Sequence, residues 1–257
     1  MNRKTVIYAV LFVVAVILGG VLYVLRPTPE ASAPLEAVPV EVEDQPTAAV
    51  VEESAAEATP TEETAMEESA PQAELGTSSG AVIFTISQDG SQVRFTLDEL
   101  LRNQPNTVVG VTDQVAGEIA VNFEDPAASQ VGEITINART LRTDNDFRNR
   151  AINNEILDTG PYELITFTPT EIIGLPDSVA VGDTFEFQVV GDLTIRDVTQ
   201  SVTFDVTVTV VSPTQITGYG SATVLRSDYD LSIPNVPSVA NVTDEVLLEI
   251  EFTANAN

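Results

Sequence analysis

The stretch Val181–Val211, VGDTFEFQVVGDLTIRDVTQSVTFDVTVTVV, reads as two long β-strands joined by a short polar turn. Along the first arm Phe185, Phe187, Val189, Leu193 and Ile195 fall at period two, with Glu186, Gln188 and Asp192 between them. Along the second, Val202, Phe204, Val206, Val208 and Val210 alternate with Thr203, Asp205, Thr207 and Thr209. Strict alternation puts the apolar side chains on one face and the polar ones on the other. An apolar face of that length needs a cover, and the flanking sequence supplies one.

Upstream, Ala81–Ile86 reads as a first strand closed by the turn Gln88-Asp89-Gly90, and Val93, Phe95 and Leu97 alternate on a second. Leu97–Arg102 reads as a brief helical turn ended by Pro105. Val108–Thr112 and Gly117–Phe123 read as a pair of strands, Asp125-Pro126 as a break, and Val131–Ala138 as a further strand with Ile134 and Ile136 on one face. Thr140–Asp158 is the one helical interruption, capped by Thr143 or Asp144, with Phe147, Ile152, Ile156 and Leu157 on a buried stripe. Gly160-Pro161 stops it, and Tyr162–Phe167 resumes strand. After the central pair come Ile216–Arg226, where Gly218 and Gly220 suggest a close backbone approach, and Glu245–Phe252. The pattern predicts an all-β domain of about eight antiparallel strands with one short helical insertion. Eight is the strand number at which a closed sheet can hold one small ligand.

The chain of 257 residues carries 39 Asp+Glu against 11 Lys+Arg, a net charge of -28, with no His, Cys or Trp. Such a balance argues against nucleic acid, whose phosphates it would repel, and against electrostatic docking on an anionic membrane. Val6–Leu25 is apolar and uncharged, long enough at 1.5 Å per residue to cross a hydrocarbon core of ~30 Å. Arg3 and Lys4 precede it, and Arg26 alone follows before the acidic tract. The positive-inside rule therefore places Met1 in the cytoplasm and the rest outside. The alternative is a signal peptide cut near Ala31-Ser32-Ala33; the apolar run exceeds the usual core of one, which favours a single-pass anchor over residues 1–26. Residues 27–80 hold 13 acidic residues and no Lys or Arg, a composition that predicts a disordered linker, about 40 Å across as a flexible coil. Residues 81–257, with 8 Arg against 26 Asp+Glu, form the folded domain.

Without His or Cys, and with Lys4 far from the domain, nucleophilic triads and histidine or thiolate metal sites are unavailable. Glu249 and Glu251 stand about 7 Å apart on one strand face, near the spacing of an inverting glycosidase, yet in the polar register opposite Val246, Leu248, Ile250 and Phe252. That register favours a solvated outer face. Asp144-x-Asp146 with a later Glu155 has the look of a calcium loop, but Arg148 and Asn149 occupy the positions of a ligand and of the obligatory glycine. Arg142, Arg148 and Arg150 read as partners for Asp144, Asp146 and Asp158, or as a clamp on a polar ligand head. No enzyme activity, cofactor or metal is expected.

In order along the chain, Phe84-Thr85-Ile86, Ser91-x-Val93-x-Phe95, Gly117-x-Ile119, Thr143-Asp144 with Arg148, and Tyr162-x-x-Ile165-Thr166-Phe167 are followed by Gly191-Asp192-Leu193-Thr194-Ile195 with Val198-Thr199-x-x-Val202, then Arg226-Ser227-Asp228-Tyr229 and Asp244-Glu245-Val246. This succession resembles the YceI-like family, lipocalin-like barrels whose members bind polyisoprenoid lipids or related quinone-tailed molecules. Phe84 stands where the family usually has Trp, Arg196-Asp197 replaces a His-Gly pair, and the His expected after Arg148 is absent. The resemblance implies a binder that takes an apolar isoprenoid lipid or quinone against Phe95, Ile119, Ile136, Phe167, Phe187, Leu193, Phe204 and Val224, and the N-terminal apolar run makes it an exported, membrane-tethered one. The alternative is a structural or interaction module whose barrel is filled by its own side chains.

Overall fold

The computed structural model describes residues 30–32, 34–40 and 80–256. The apolar run Val6–Leu25 and most of the acidic tract lie outside these residues.

The domain is built from twelve strand segments: β1 (Ala81–Leu101), β2 (Gln104–Thr112), β3 (Val115–Ala116), β4 (Glu118–Asn122), β5 (Gln130–Val131), β6 (Ile134–Asn137), β7 (Leu164–Ile173), β8 (Thr184–Ile195), β9 (Val198–Ser212), β10 (Gln215–Leu225), β11 (Val239–Ala240) and β12 (Glu245–Ala256). Antiparallel ladders run from β1 through β12, β10, β9, β8 and β7 to β6. β6 pairs with β3, while β4 pairs with β5 on one side and β1 on the other. Only Gly117 separates β3 from β4, so the ladder comes back to the strand where it began. With β2–β3–β4 taken as one strand and β5–β6 as another, eight strands enclose the interior.

The central pair holds as its alternation dictates. Val189, Leu193, Ile195, Val202, Val208 and Val210 are buried. On the outer face, opposed residues bond side chain to side chain: Thr184 to Thr209 at 2.7 Å, Gln188 to Asp205 at 2.7 Å and Thr194 to Thr199 at 2.8 Å. Such cross-strand pairs fix the register, because a slip of one residue would turn every apolar side chain outward.

The structure corrects the reading elsewhere. The two upstream strands are one, since β1 runs unbroken through Gln88-Asp89-Gly90 as a bulge between the pairs Ser87–Thr253 and Gln92–Glu251. Gly90 takes φ 91 there, and Ser91 Oγ accepts from the Thr253 amide at 3.1 Å. A bulge adds twist and bends a strand, which a small barrel requires. Leu97–Arg102 is strand and hairpin turn, not helix: Arg102 and Asn103 take φ 52 and 63, and Leu101 faces Gln104. Two positive φ values in succession suit a tight hairpin whose twist matches its strands. Val108–Thr112 and Gly117–Phe123 do not pair with each other; both follow β1, as successive parts of one strand.

The helical insertion is shorter than expected. Helix α1 (Asp146–Ala151) passes into one π-helical turn, Ile152–Ile156. Its cap is Asn145, whose side chain accepts from the amides of Phe147 and Arg148. Ile152 and Leu157 are buried, but Phe147 is 75% exposed, with the Arg150 guanidinium 5.6 Å from its ring centroid. Polar groups knit the insertion instead. Asn149 Oδ1 accepts from the Thr143 amide at 2.7 Å and hydroxyl at 2.8 Å, and the fully buried Thr159 hydroxyl donates to Asn153 Oδ1 at 3.0 Å.

Inside the barrel three phenylalanines lie against cross-strand glycines. A Cβ on Gly110 would stand 2.2 Å from the Phe95 ring, one on Gly191 2.6 Å from Phe167, and one on Gly218 2.4 Å from Phe252. Phe95 is directly opposite Gly110, and Phe252 opposite Gly218. The rings therefore lean on bare backbone along the wall. Gly110→Ala would force the Phe95 ring inward, at a cost of about 1–3 kcal/mol as overpacking. Chemical denaturation should show that loss, whereas the same exchange at Gly174, with nothing within 4 Å of a new Cβ, loses only what its φ of 88 imposes.

Candidate functional site

The interior divides into two apolar clusters. One, at the end that carries α1, gathers Leu141, Ile152, Leu157, Phe167, Leu193, Val224 and Val246. The other gathers Phe84, Val115, Ile136, Val208, Val210, Ile216 and Phe252. Between them lies a cavity of ≈ 330 Å³ whose wall draws on both. That volume is about twice that of an engineered apolar cavity able to take benzene, and falls at the lower end of the range of ligand pockets.

Phe95, Ile119, Ile136, Phe167, Phe187, Phe204 and Val224 all border this cavity. Leu193 is buried in the same cluster as Phe167, 3% exposed and directly across the ladder from it, but does not border the cavity. The Phe167 and Phe204 rings meet edge to face at 5.0 Å, and Phe185 stacks on Phe187 at 5.8 Å. Val206, Leu248 and Ile250 border the cavity too. Their period-two positions on β9 and β12 carried the same signal as their neighbours.

Apart from Arg94 and Glu249, which face each other midway along β1 and β12, the polar groups of the wall lie toward its two ends. Asn122, Ser129 and Gln130 edge the end where β1 begins. At the α1 end stands Glu99, in the inward register of Phe95 and Leu97. Its side chain is only 5% exposed, and its Oε1 accepts from Arg148 Nη2 at 2.8 Å and from Asn106 Nδ2 at 2.9 Å. Arg148 also reaches Asp144 at 2.6 Å. Of the three clustered arginines, Arg148 thus belongs to the cavity's edge, whereas Arg142 donates to the carbonyls of Arg139 and Leu141. Read as part of a helical turn, Glu99 gave no sign in the sequence of facing inward; the strand register puts it there, and its partner, 49 residues away, had no local signal.

Tyr229 also borders the cavity and is 1% exposed. Its hydroxyl has no hydrogen-bond partner. Burial, aided by the negative charge of Asp228, pushes the phenol up to about 12. Glu249 and Glu251 are on the outer face, as their register indicated: Arg94 pairs with both, and the Tyr219 hydroxyl donates to Glu249 at 2.7 Å. Among the described residues no group of three or more acidic side chains is placed to hold a metal ion.

An antiparallel sheet curled around an apolar interior defines the class: a lipocalin-like β fold. The family model of the YceI-like domain matches residues 84–254, more than half of the chain. The chain belongs to the YceI-like family. Among solved structures it is similar to a polyisoprenoid binding domain from Saccharophagus degradans implicated in plant cell wall breakdown, at 17% identity and TM-score 0.54, over 69% of this chain and 99% of that one. It is also similar to BcnA of Burkholderia cenocepacia, at 21% identity and TM-score 0.52, over 66% of this chain and 99% of that one. No match is found among curated proteins.

Two outcomes follow from the site. Arg148→Met alone should destabilise by about 3 kcal/mol, because it strands a buried carboxylate, and adding Glu99→Gln should recover most of that loss. Denaturant midpoints of the two single variants and the double one measure it. The raised Tyr229 pKa means that ionising the phenol disfavours the folded state. Stability is therefore complete below pH 10 and falls as pH rises from 10 toward 12. Tyr229→Phe, which loses no hydrogen bond, should flatten that alkaline limb in thermal melts and leave the neutral-pH melting temperature equal or higher.

Proposed function

We propose that this protein is an exported, membrane-tethered binder that holds an apolar lipid, a polyisoprenoid or a quinone-like tail, non-covalently inside its barrel. The cavity carries this reading: it is walled by Phe95, Phe187, Phe204 and their apolar neighbours, and polar residues make up only a small part of its lining. Membership of the YceI-like family, and the description of the Saccharophagus degradans domain as polyisoprenoid binding, support the same ligand class.

Each buried CH₂ contributes about 0.8 kcal/mol. Association costs roughly 4–15 kcal/mol in lost freedom. Burial of an apolar tail in the cavity therefore offsets much of that cost without any head-group contact. Phe95, Ile119, Ile136, Phe167, Phe187, Phe204 and Val224 supply the contact surface, with Leu193 beside Phe167 across the ladder. No covalent step is involved and no catalytic residue is assigned. The apolar run Val6–Leu25, as an anchor, keeps the barrel beside the membrane from which the lipid comes.

Val206→Phe separates an open interior from a self-filled one. Val206 borders the cavity and faces Phe187 and Gly220 across the ladders. In an open barrel the new ring occupies free space: the lipid-free full chain melts at a higher temperature, and uptake of added octaprenol, read by native mass spectrometry, falls at least tenfold. In a filled barrel the ring overpacks the core and stability drops by about 1–3 kcal/mol. The second outcome, together with no octaprenol on the unsubstituted chain, would contradict the proposal.

A further inference from the structure

Part of the acidic tract is not free chain. Residues 30–32 and 34–40 lie extended along the outside of the barrel. The Ser32 amide and hydroxyl donate to the two carboxylate oxygens of Glu163, at 2.7 and 2.6 Å. Arg139 Nη1 donates to the Glu30 carbonyl at 3.2 Å while pairing with Glu163 at 2.7 Å. Gln88 Nε2 donates to the Leu35 carbonyl at 3.3 Å, and the Val40 amide to Glu118 at 3.0 Å. A methyl of Val40 fills the place a side chain on Gly132 would take, 2.7 Å from its Cβ position. Burial would raise the Glu163 carboxyl, but the Ser32 and Asn137 hydrogen bonds and the Arg139 charge outweigh it and hold the group below the usual carboxylate range.

The strap has a direction. Its last residue sits at Glu118, opposite Thr85 near the start of β1. Leu35 sits at Gln88, and Ser32 at Glu163, where the chain leaves the helical insertion. Read backwards, the strap climbs the barrel toward the end carrying α1. Two consequences follow for chain length. Residues 41–79 join two nearby points, since Gly80 lies against Asn122, four residues from Glu118 along β4. They add nothing to the tether. Only residues 26–29 separate the apolar run from Glu30, a reach of about 17 Å even fully extended.

We propose that the strap holds the α1 end of the barrel against the bilayer that anchors Val6–Leu25, with the exposed Phe147 on the membrane-facing side. This rests on reading Val6–Leu25 as an anchor. The long acidic tract then acts as a side loop, and the barrel has a fixed pole rather than a ~40 Å leash. Among the described large apolar side chains with high exposure, Phe147 has the highest, at 75%, and it projects from the end the strap points to. The domain's acidic surface would not draw this end to anionic lipid, so the short tether must supply the proximity.

The chain has no cysteine, so one introduced cysteine gives a unique label. Full-length protein is reconstituted in phosphatidylcholine vesicles and labelled with a donor at Phe147→Cys or at Ala128→Cys, the latter near the opposite end of β1. Energy transfer to a head-group acceptor should be at least threefold more efficient from position 147. Ser32→Pro with Val40→Asp, both on the strap and so harmless to the barrel, should bring the two positions to within 20% of each other. Replacing residues 41–79 by a short Gly-Ser loop should leave the difference intact. Equal transfer from both positions in the unsubstituted chain, or a difference that survives the strap variant, overturns the inference. Failure of the chain to float with the vesicles sinks the anchor reading itself. Lipid uptake by the barrel is scored separately and depends on neither.

Discussion

The structure depends on a packing constraint between large rings and bare backbone. A closed barrel of eight strands has just enough room inside for its own side chains. Phenylalanines at Phe95, Phe167 and Phe252 would fill that room if they pointed at the axis. They do not, because Gly110, Gly191 and Gly218 leave flat recesses in the wall and the rings lie into them. The surface those rings offer to the interior is their face or edge, not their length. The ≈ 330 Å³ space between the two apolar clusters is what remains. Fold and cavity thus share one cause, and adding a methyl group at any of the three glycines acts on both.

Much of this was legible in the sequence. Period-two runs on β8, β9 and β12 fixed which side chains face inward, and seven of the eight residues read as lining the interior border the cavity. Leu193 shows the limit of that argument. Alternation specifies a face, not what a side chain on that face touches, and Leu193, beside Phe167 across the ladder, is buried among its neighbours away from the cavity. Gln88-Asp89-Gly90 shows another. The same residues that end a strand at a turn can bend one at a bulge, and only the ladder to β12 distinguishes the two.

The helical insertion was read least well. Its apolar residues invited a buried stripe, yet Phe147 is solvent-facing and the segment is held by Asn149, Asn153 and Thr159. Buried amides satisfied by each other give no hydrophobic period to detect. Glu99 is the related case. An acidic residue in an inward register is tolerated because Arg148 arrives from the far side of a long connection. The strap over residues 30–32 and 34–40 was hidden by composition. Acidic, Pro- and Ala-rich sequence predicts disorder on average, but a few hydrogen bonds to Glu163, Gln88 and Glu118 suffice to lay a short piece down.

The central claim is that the interior is a vacant apolar bore shaped to accept a hydrocarbon tail. Its most direct test is a crystal structure of the protein soaked with an isoprenoid whose far end carries bromine, read by anomalous scattering. The account predicts a bromine peak inside the barrel, within van der Waals reach of Phe187, Phe204 and Leu248. A bromine found only on the outer surface, with the bore unchanged and empty, would contradict it.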